Sequence, residues 1–268
     1  MTGRVRRDGA TARKNFLGKG ARSGSETARR SVVLAAAGIA TPIGRFDATD
    51  GNIVFPWLDG ISGRRHLASE TAAGRGHPVL VAAITVLARL HRADAPALRL
   101  PPFDPWKRIS PRLAALPRDV EATDFHAARA AVGAALDAAA GHDEPGLGLI
   151  HGDFHIGQLI FPTAGSAPWL LDLEDLAVGP AEADLGNFIA HIVTSEDLYD
   201  GALVDGFRRF ADSLRAAYEA ETGITLAANR IDAYGAAALL RRGLKLREHD
   251  RQPPPTEIAR AAVVVAGE

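Results

Sequence analysis

His151-Gly152-Asp153-Phe154-His155-Ile156-Gly157-Gln158 is the stretch on which the reading of this chain turns. It follows directly on a short apolar run, Gly146 to Ile150, that reads as a buried strand. Two further elements follow in order. Leu170-Leu171-Asp172-Leu173-Glu174-Asp175 is an acidic cluster closing another strand, and Gly179-Pro180 leads into Asp184-Leu185-Gly186-Asn187-Phe188, which opens a helix. Asp153 sits at a strand end, where loop side chains converge on a ligand. Asp172 comes after two short apolar segments, Leu159 to Phe161 and Trp169 to Leu173, that read as a hairpin. Such a hairpin returns the chain and brings the acidic groups together. Carboxylates with a side-chain amide, Gln158, supply hard oxygen ligands of the kind that suit Mg2+. An aspartate left over can accept the proton of an attacking hydroxyl. Metal, positioning and a base for the nucleophile are what phosphoryl transfer needs.

Composition narrows the alternatives. The chain has 268 residues, 47% hydrophobic and 24% charged, which suits a globular protein with a real core. Its net charge of −1 gives no sign of a nucleic-acid or membrane partner. There is no cysteine, so disulfides, thiolate metal sites and a thiol nucleophile are all excluded. Of the 31 basic residues only four are lysines, Lys14, Lys19, Lys107 and Lys245, so a lysine in a key place stands out. The longest apolar run, Val32 to Ala40, is far short of the roughly 20 residues a membrane span requires. It follows Arg29-Arg30, superficially like a twin-arginine export signal. It reads better as a buried helix ending at Gly38, in a cytoplasmic protein.

The N-terminal stretch, up to Gly60, reads as mixed α and β. Thr11 to Leu17 forms a strand with Ala12, Lys14 and Phe16 on one face, and Gly18-Lys19-Gly20 begins a turn. Ser23 and Glu26 have the spacing of a capping box that starts a helix running to about Ala37. Ile43 to Phe46 and Asn52 to Trp57 flank an Asp50-Gly51 turn. After Gly60 the pattern is helical, with a strong apolar helix over Val79 to His91, an irregular proline-rich segment over 99–118 and an alanine-rich helix to Ala140. From Ala181 onward it is helical again, broken at Pro253-Pro254-Pro255.

Taken together, these residues resemble the aminoglycoside phosphotransferase and choline kinase-like family, relatives of the protein kinases. The family's His-Gly-Asp, a ligand five positions beyond it, an acidic strand end, Gly-x-Pro and Asp-Leu are matched by Asp153, Gln158, Asp172, Gly179 and Asp184-Leu185. The resemblance implies an α+β, bilobal, protein-kinase-like fold, with a small N-terminal lobe over residues 1–60 and a large helical lobe over 61–268. It implies an enzyme using ATP and Mg2+ to phosphorylate a hydroxyl of a small molecule of aminoglycoside, sugar or amino-alcohol type. Asp153 would be the catalytic base, Gln158 and Asp172 would hold Mg2+, and His151, His155 and Asp184 would support the loop. Lys14 would contact nucleotide phosphates with Glu26 as its ion-pair partner, and Phe55, Trp57 and Leu58 would form the hinge beside adenine. Leu90-His91-Arg92-Ala93 resembles the end of the first large-lobe helix.

Two departures stand out. The family has asparagine where this chain has Gln158, whose carbonyl sits on an arm one methylene longer. The small lobe is short: Lys14 stands so near the first residue that a complete glycine-rich phosphate-covering hairpin has no room before it. That truncation keeps open a non-catalytic module that binds a nucleotide or metabolite, and a misplaced start codon. His151, Asp153 and His155 alternate, and on an extended chain they would share one side as a transition-metal site. Glu196, Asp197, Asp200 and Asp205 form an acidic stretch that would favour a cationic substrate if it faced the site. Oligomeric state is not legible.

Overall fold

The computed structural model describes residues 5–16, 21–73, 77–116, 120–140, 147–163, 167–196, 198–247 and 253–267. Gly18-Lys19-Gly20 and Asp197 lie outside them. The N-terminal part is an antiparallel sheet of order β1-β2-β4-β3, made of β1 (Val5–Asp8), β2 (Thr11–Asn15), β3 (Arg45–Asp47) and β4 (Asn52–Pro56). A tight turn joins β1 to β2, and β2 pairs with β4 so that Lys14 lies opposite Ile53. Alternation along β2 buries Phe16 and half-buries Ala12 and Lys14, as the strand period requires.

Helix α1 (Ala21–Ala36) packs on this sheet through Thr27, Ala28, Ser31 and Leu34, one stripe at helical spacing. It stops at Gly38, whose φ of 84° lets Ile39 donate back to the Leu34 carbonyl at 3.0 Å. Ser23 is not the helix start, because α1 is already formed at Ala21. A second difference from the sequence reading comes just after the linker. Gly60–Ser62 forms β5 rather than the start of a helix. The Ser62 hydroxyl caps α2 (Gly63–Ala72), so the helix begins at residue 63 and the preceding backbone is free to pair with a strand of the large lobe.

The large part is mainly helical. In order come α3 (Pro78–His91), α4 (Ser110–Ala114), α5 (Val120–Ala140), β6 (Gly148–Ile150), β7 (Leu159–Pro162), β8 (Trp169–Leu170), β9 (Ala177–Gly179), α6 (Ala181–Val193), α7 (Leu203–Thr222), α8 (Ala228–Leu246) and α9 (Pro255–Val265). Single 3-10 turns lie at 105–108, 156–158 and 173–175. β7 and β8 form the expected hairpin, joined at its edge by β5, while β6 pairs with β9. β8 is shorter than the apolar run suggests, because Asp172 turns into the left-handed region at φ 59° and ends the strand.

Helix α6 is buried along nearly its whole length and crosses α8 at very close range. A Cβ on Gly186 would sit 2.6 Å from the Gly235 nitrogen and 2.9 Å from the Ile231 carbonyl, so only glycine permits this approach. The crossing delivers one residue from each helix, Asn187 and Arg241, to the same point. One continuous core of leucine, isoleucine, phenylalanine and alanine side chains runs under α3, α6, α8 and α9. This is the α+β bilobal arrangement that the motifs imply. Among the described residues no helix is long and apolar enough to cross a membrane.

Candidate active site

The loop after β6 is held from below. Asp184, at the start of α6 and 1% exposed, accepts the backbone N–H of His151 at 2.6 Å and of Gly152 at 2.8 Å. His91, the last residue of α3, reaches the same carboxylate at 3.1 Å and the Tyr218 hydroxyl at 2.9 Å. Gly152 has a φ of 77°, and a side chain there would strike the Asp175 carbonyl. His151 is fully buried and its Nε2 meets the Leu171 carbonyl at 2.9 Å, which ties the loop to the β8 end. Its ring is not among the groups that gather at Asp153 and His155, so the alternating three-residue metal site is not formed.

His155 accepts the Gly157 N–H on Nδ1 at 3.0 Å and stacks on His191, ring centroids 4.4 Å apart and 8° from parallel. Burial, helped by the nearby Arg64 and Arg242, pushes the His155 imidazole down to about 3 despite the opposing Asp153 charge. Asp153, His155 and His191 do place three potential ligand atoms close together. Cationic groups already crowd them: Arg108 and Arg241 each contact one Asp153 oxygen, and Arg242 meets His191 Nδ1 at 3.1 Å. A cation would enter a cluster of guanidinium groups, which the electrostatics oppose.

Asp153 stands at the mouth of this loop. Its Oδ2 accepts from Arg108 at 2.9 Å and its Oδ1 from Arg241 at 2.6 Å. Burial alone would raise its carboxyl, but Arg241, Arg108 and His155 together hold it well below the usual carboxylate range. Arg241 also donates to the Asn187 side chain at 2.7 Å, and Asn187 in turn donates to the Phe154 carbonyl at 2.7 Å. Arg108 additionally binds Asp175. The arginines open onto a cleft of about 150 Å3 whose wall includes Lys107, Arg108, Gly152, Asn187, Tyr234 and Arg241.

A second and larger cleft, about 520 Å3, lies between the N-terminal sheet and the β5-β7-β8 sheet. Lys14, Gln158 and Asp172 line it together with Phe55, Trp57 and Leu58, so these residues, all singled out from the sequence, meet in one cavity. Lys14 Nζ contacts Asp172 Oδ1 at 2.7 Å and Glu174 Oε1 at 2.5 Å. Burial would lower the Lys14 ammonium, but the two carboxylates raise it above its ordinary value. The Gln158 side-chain nitrogen donates to Asp172 Oδ2 at 3.3 Å. Burial works to raise the Asp172 carboxyl, and Lys14 above all pulls it down. Asp172 is also the one non-glycine residue with positive φ among the described residues. Such strain persists where the surroundings over-determine it, as at ligand sites.

Glu26 is not the partner of Lys14. Arg29 grips its carboxylate with two nitrogens at 2.8 and 3.0 Å, and Arg30 adds a third contact at 3.3 Å. Arginines at the i+3 and i+4 positions of the same helix face reach the glutamate first. Glu174 takes its place at Lys14, and Arg30 secures that segment by donating to the Leu173 and Glu174 carbonyls at 3.0 and 2.8 Å. The sequence marks Glu174 only as part of an acidic cluster, and it does not mark Arg108 or Arg241 at all. In a chain so rich in arginine no local signal distinguishes these two. Glu196, Asp200 and Asp205 line neither cleft, and Asp200 pairs with Arg209 at 3.3 Å.

Comparison with known proteins agrees with this geometry. No curated protein sequence matches the chain. Among solved structures, a choline/ethanolamine kinase family protein from Mesorhizobium loti superposes with a TM-score of 0.64 at 18% identity, covering 99% of this chain and 84% of that one. Choline kinase LicA from Streptococcus pneumoniae gives a TM-score of 0.64 at 15% identity, covering 98% and 88%. Aminoglycoside phosphotransferase APH(3'')-Id from Streptomyces rimosus, solved with ADP and streptomycin, gives 0.61 at 18% identity, covering 87% and 88%. At such identities these likenesses establish the shared fold. The model of the phosphotransferase enzyme family matches residues 12–240, which spans most of both clefts together with Lys14, Asp153, Gln158 and Asp172, and the chain belongs to that family.

Proposed function

We propose that the protein is a kinase that uses ATP and Mg2+ to phosphorylate a hydroxyl of a small molecule. The observation that carries this reading is the convergence of Lys14, Gln158 and Asp172 in the cleft walled by Phe55, Trp57 and Leu58, one loop away from Asp153. Residues 1–60 form the nucleotide-side lobe and 61–268 the catalytic lobe. The fold neighbours support nucleotide use: APH(3'')-Id was solved with ADP, and LicA with AMP.

Asp172 and Gln158 fit a Mg2+ ion by the chemistry of their donors, a carboxylate and a carboxamide oxygen on side chains that already stand side by side. When bound there, Mg2+ would neutralise phosphate charge and hold the phosphates in line. Lys14 supplies a further cation to the phosphates once it turns from Asp172, and Glu174 keeps its ammonium in position. Asp153 accepts the hydrogen bond of the acceptor hydroxyl, using lone pairs left beside its two arginine contacts. The hydroxyl oxygen bonds to the γ-phosphorus as the bond to the ADP oxygen breaks, and the proton passes to Asp153 and then to solvent. A carboxylate held this far below its ordinary range is a weak base. That suits a loose transition state, in which the proton leaves late and orientation matters first.

Calorimetric titration of the full chain with ATP tests the assignment. Wild type should bind with Mg2+ present, and Asp172→Asn should lose most of the Mg2+-dependent part. Absence of any ATP binding by wild type overturns the reading. ATP binding with no ADP release for any hydroxyl acceptor would establish the non-catalytic module instead.

A further inference from the structure

The cleft beside Asp153 carries an unusual charge for a site expected to admit amines. Asp153 is bound directly by Arg108 and Arg241, while Arg242 and Lys245 lie close enough to act on the same cluster. Arg242 is 9% exposed, and its hydrogen-bond partners among the described residues are neutral, Thr194 and His191. Lys107, in the cleft wall, has no ion-pair partner among the described residues. The acidic groups of the same wall are already engaged: Glu174 by Lys14, Asp175 by Arg108, and Asp104 as the cap of the 105–108 turn at 2.8 Å. Burial above all, with Arg64 and Arg241 nearby, pushes the Arg242 guanidinium down to about 10.

We infer that the acceptor carries an anionic group, a carboxylate or a phosphate, beside the hydroxyl that is phosphorylated, and that this group seats on Arg108 and Arg241. The fork of a guanidinium matches either anion in bidentate fashion. Arg108 is 37% exposed and opens on the cleft, so an anion can reach it without moving the core. The anion competes with Asp153 for its two arginines, and each contact it takes leaves the Asp153 oxygens freer for the hydroxyl. A choline-like or aminoglycoside cation would meet the opposite field. The cleft, about 150 Å3, has room for a small hydroxy acid or polyol phosphate.

The word acceptor rests on the phosphotransferase reading, but the charge preference is testable by binding alone. Ligand-observed NMR on the full chain compares glycerate, glycerol 3-phosphate, glycerol and ethanolamine, probes of similar size and different charge. At least one anion should bind ten or more times tighter than glycerol and ethanolamine, and which anion wins separates carboxylate from phosphate recognition. Arg241→Gln should erase the preference with ATP affinity held within twofold. Arg108→Gln, on a partly exposed turn, repeats the test where the first variant disturbs folding. Equal or tighter binding of ethanolamine, or no detectable binding of either anion, overturns the inference. So does loss of ATP affinity in both variants with anion binding intact, which would give the arginines to the nucleotide. Anion binding without ATP binding would remove the kinase reading and leave the anion site standing.

Discussion

Asp153 and Asp172 flank one hairpin and end up in opposite electrostatic settings. Around Asp172 two carboxylates, its own and that of Glu174, share one cation, Lys14. Around Asp153 two arginines converge on one carboxylate, Arg108 being shared with Asp175, and Arg242 and Lys245 lie behind them. In the proposed function the Asp172 cleft takes a metal cation with phosphates and the Asp153 cleft the negative part of an acceptor, one residue type serving two roles according to its neighbours.

Neutralising one aspartate while watching the other cleft puts the greatest strain on this division. Asp153→Asn should lower kcat by about 10^2- to 10^4-fold, the range for removing a positioned proton acceptor. ATP affinity, measured by calorimetry, should stay within twofold; a parallel loss of ATP binding would show that the two clefts are one. Asp184→Ala probes the support beneath both. It strands the buried N–H groups of His151 and Gly152 and a contact of His91. It should cost about 2–4 kcal/mol in urea unfolding, and a loss under about 1 kcal/mol would deny Asp184 its bracing role.

Lys14→Met addresses the nucleotide cleft alone. It should weaken ATP binding by about tenfold or more, as expected for a charge-assisted contact of about 1.5 kcal/mol or above. Binding of anionic probes at the Asp153 cleft should not change. Glu174→Gln should reproduce part of that loss, whereas Glu26→Gln should leave ATP affinity untouched. The reverse order would mean that Lys14 exchanges partners when nucleotide arrives.

A further test is in pH. His155 is held near 3 in the folded protein against an ordinary value of 6.5. The unfolded chain therefore takes up that proton first, and stability should fall as pH drops below about 6.5, at up to about 1.4 kcal/mol per pH unit for each such proton. Asp153, held low by its arginines, adds to the same trend below the ordinary aspartate range. His155→Gln should flatten the part between about pH 6 and 4, read from urea midpoints; an unchanged slope would assign the acid sensitivity to other groups.

Much of the loop after β6 was legible in the sequence because its geometry is local. The β6 strand, the loop and the β7-β8 hairpin are built from neighbouring residues with turn signals between them, and they bring Gln158 to Asp172. Lys14 was legible for another reason, its rarity in a chain of arginines. The partner of Lys14 was not. Glu26 has the right residue type on the right helix, but Arg29 and Arg30 lie on its own face, and a contact within one helical turn outcompetes one across the cleft. Arg241 reaches Asp153 across a long sequence separation, and only the close crossing of α6 and α8 at Gly186 sets that contact. The left-handed turn at Asp172 follows a preference of aspartate, which is depleted in strands and enriched at positive φ, but the apolar run around it masks that signal.

If Asp153 governs the movement of phosphate from ATP to an acceptor, the label on the γ-phosphate of ATP must follow it. Labelled ATP is supplied with Mg2+ and a panel of hydroxylated acceptors of differing charge. Wild type should place the label in an organic acceptor, and Asp153→Asn should lose that product by at least about 10^2-fold with its ATP binding retained. Label appearing in inorganic phosphate alone, at the same rate in both proteins, would contradict a transfer controlled by Asp153.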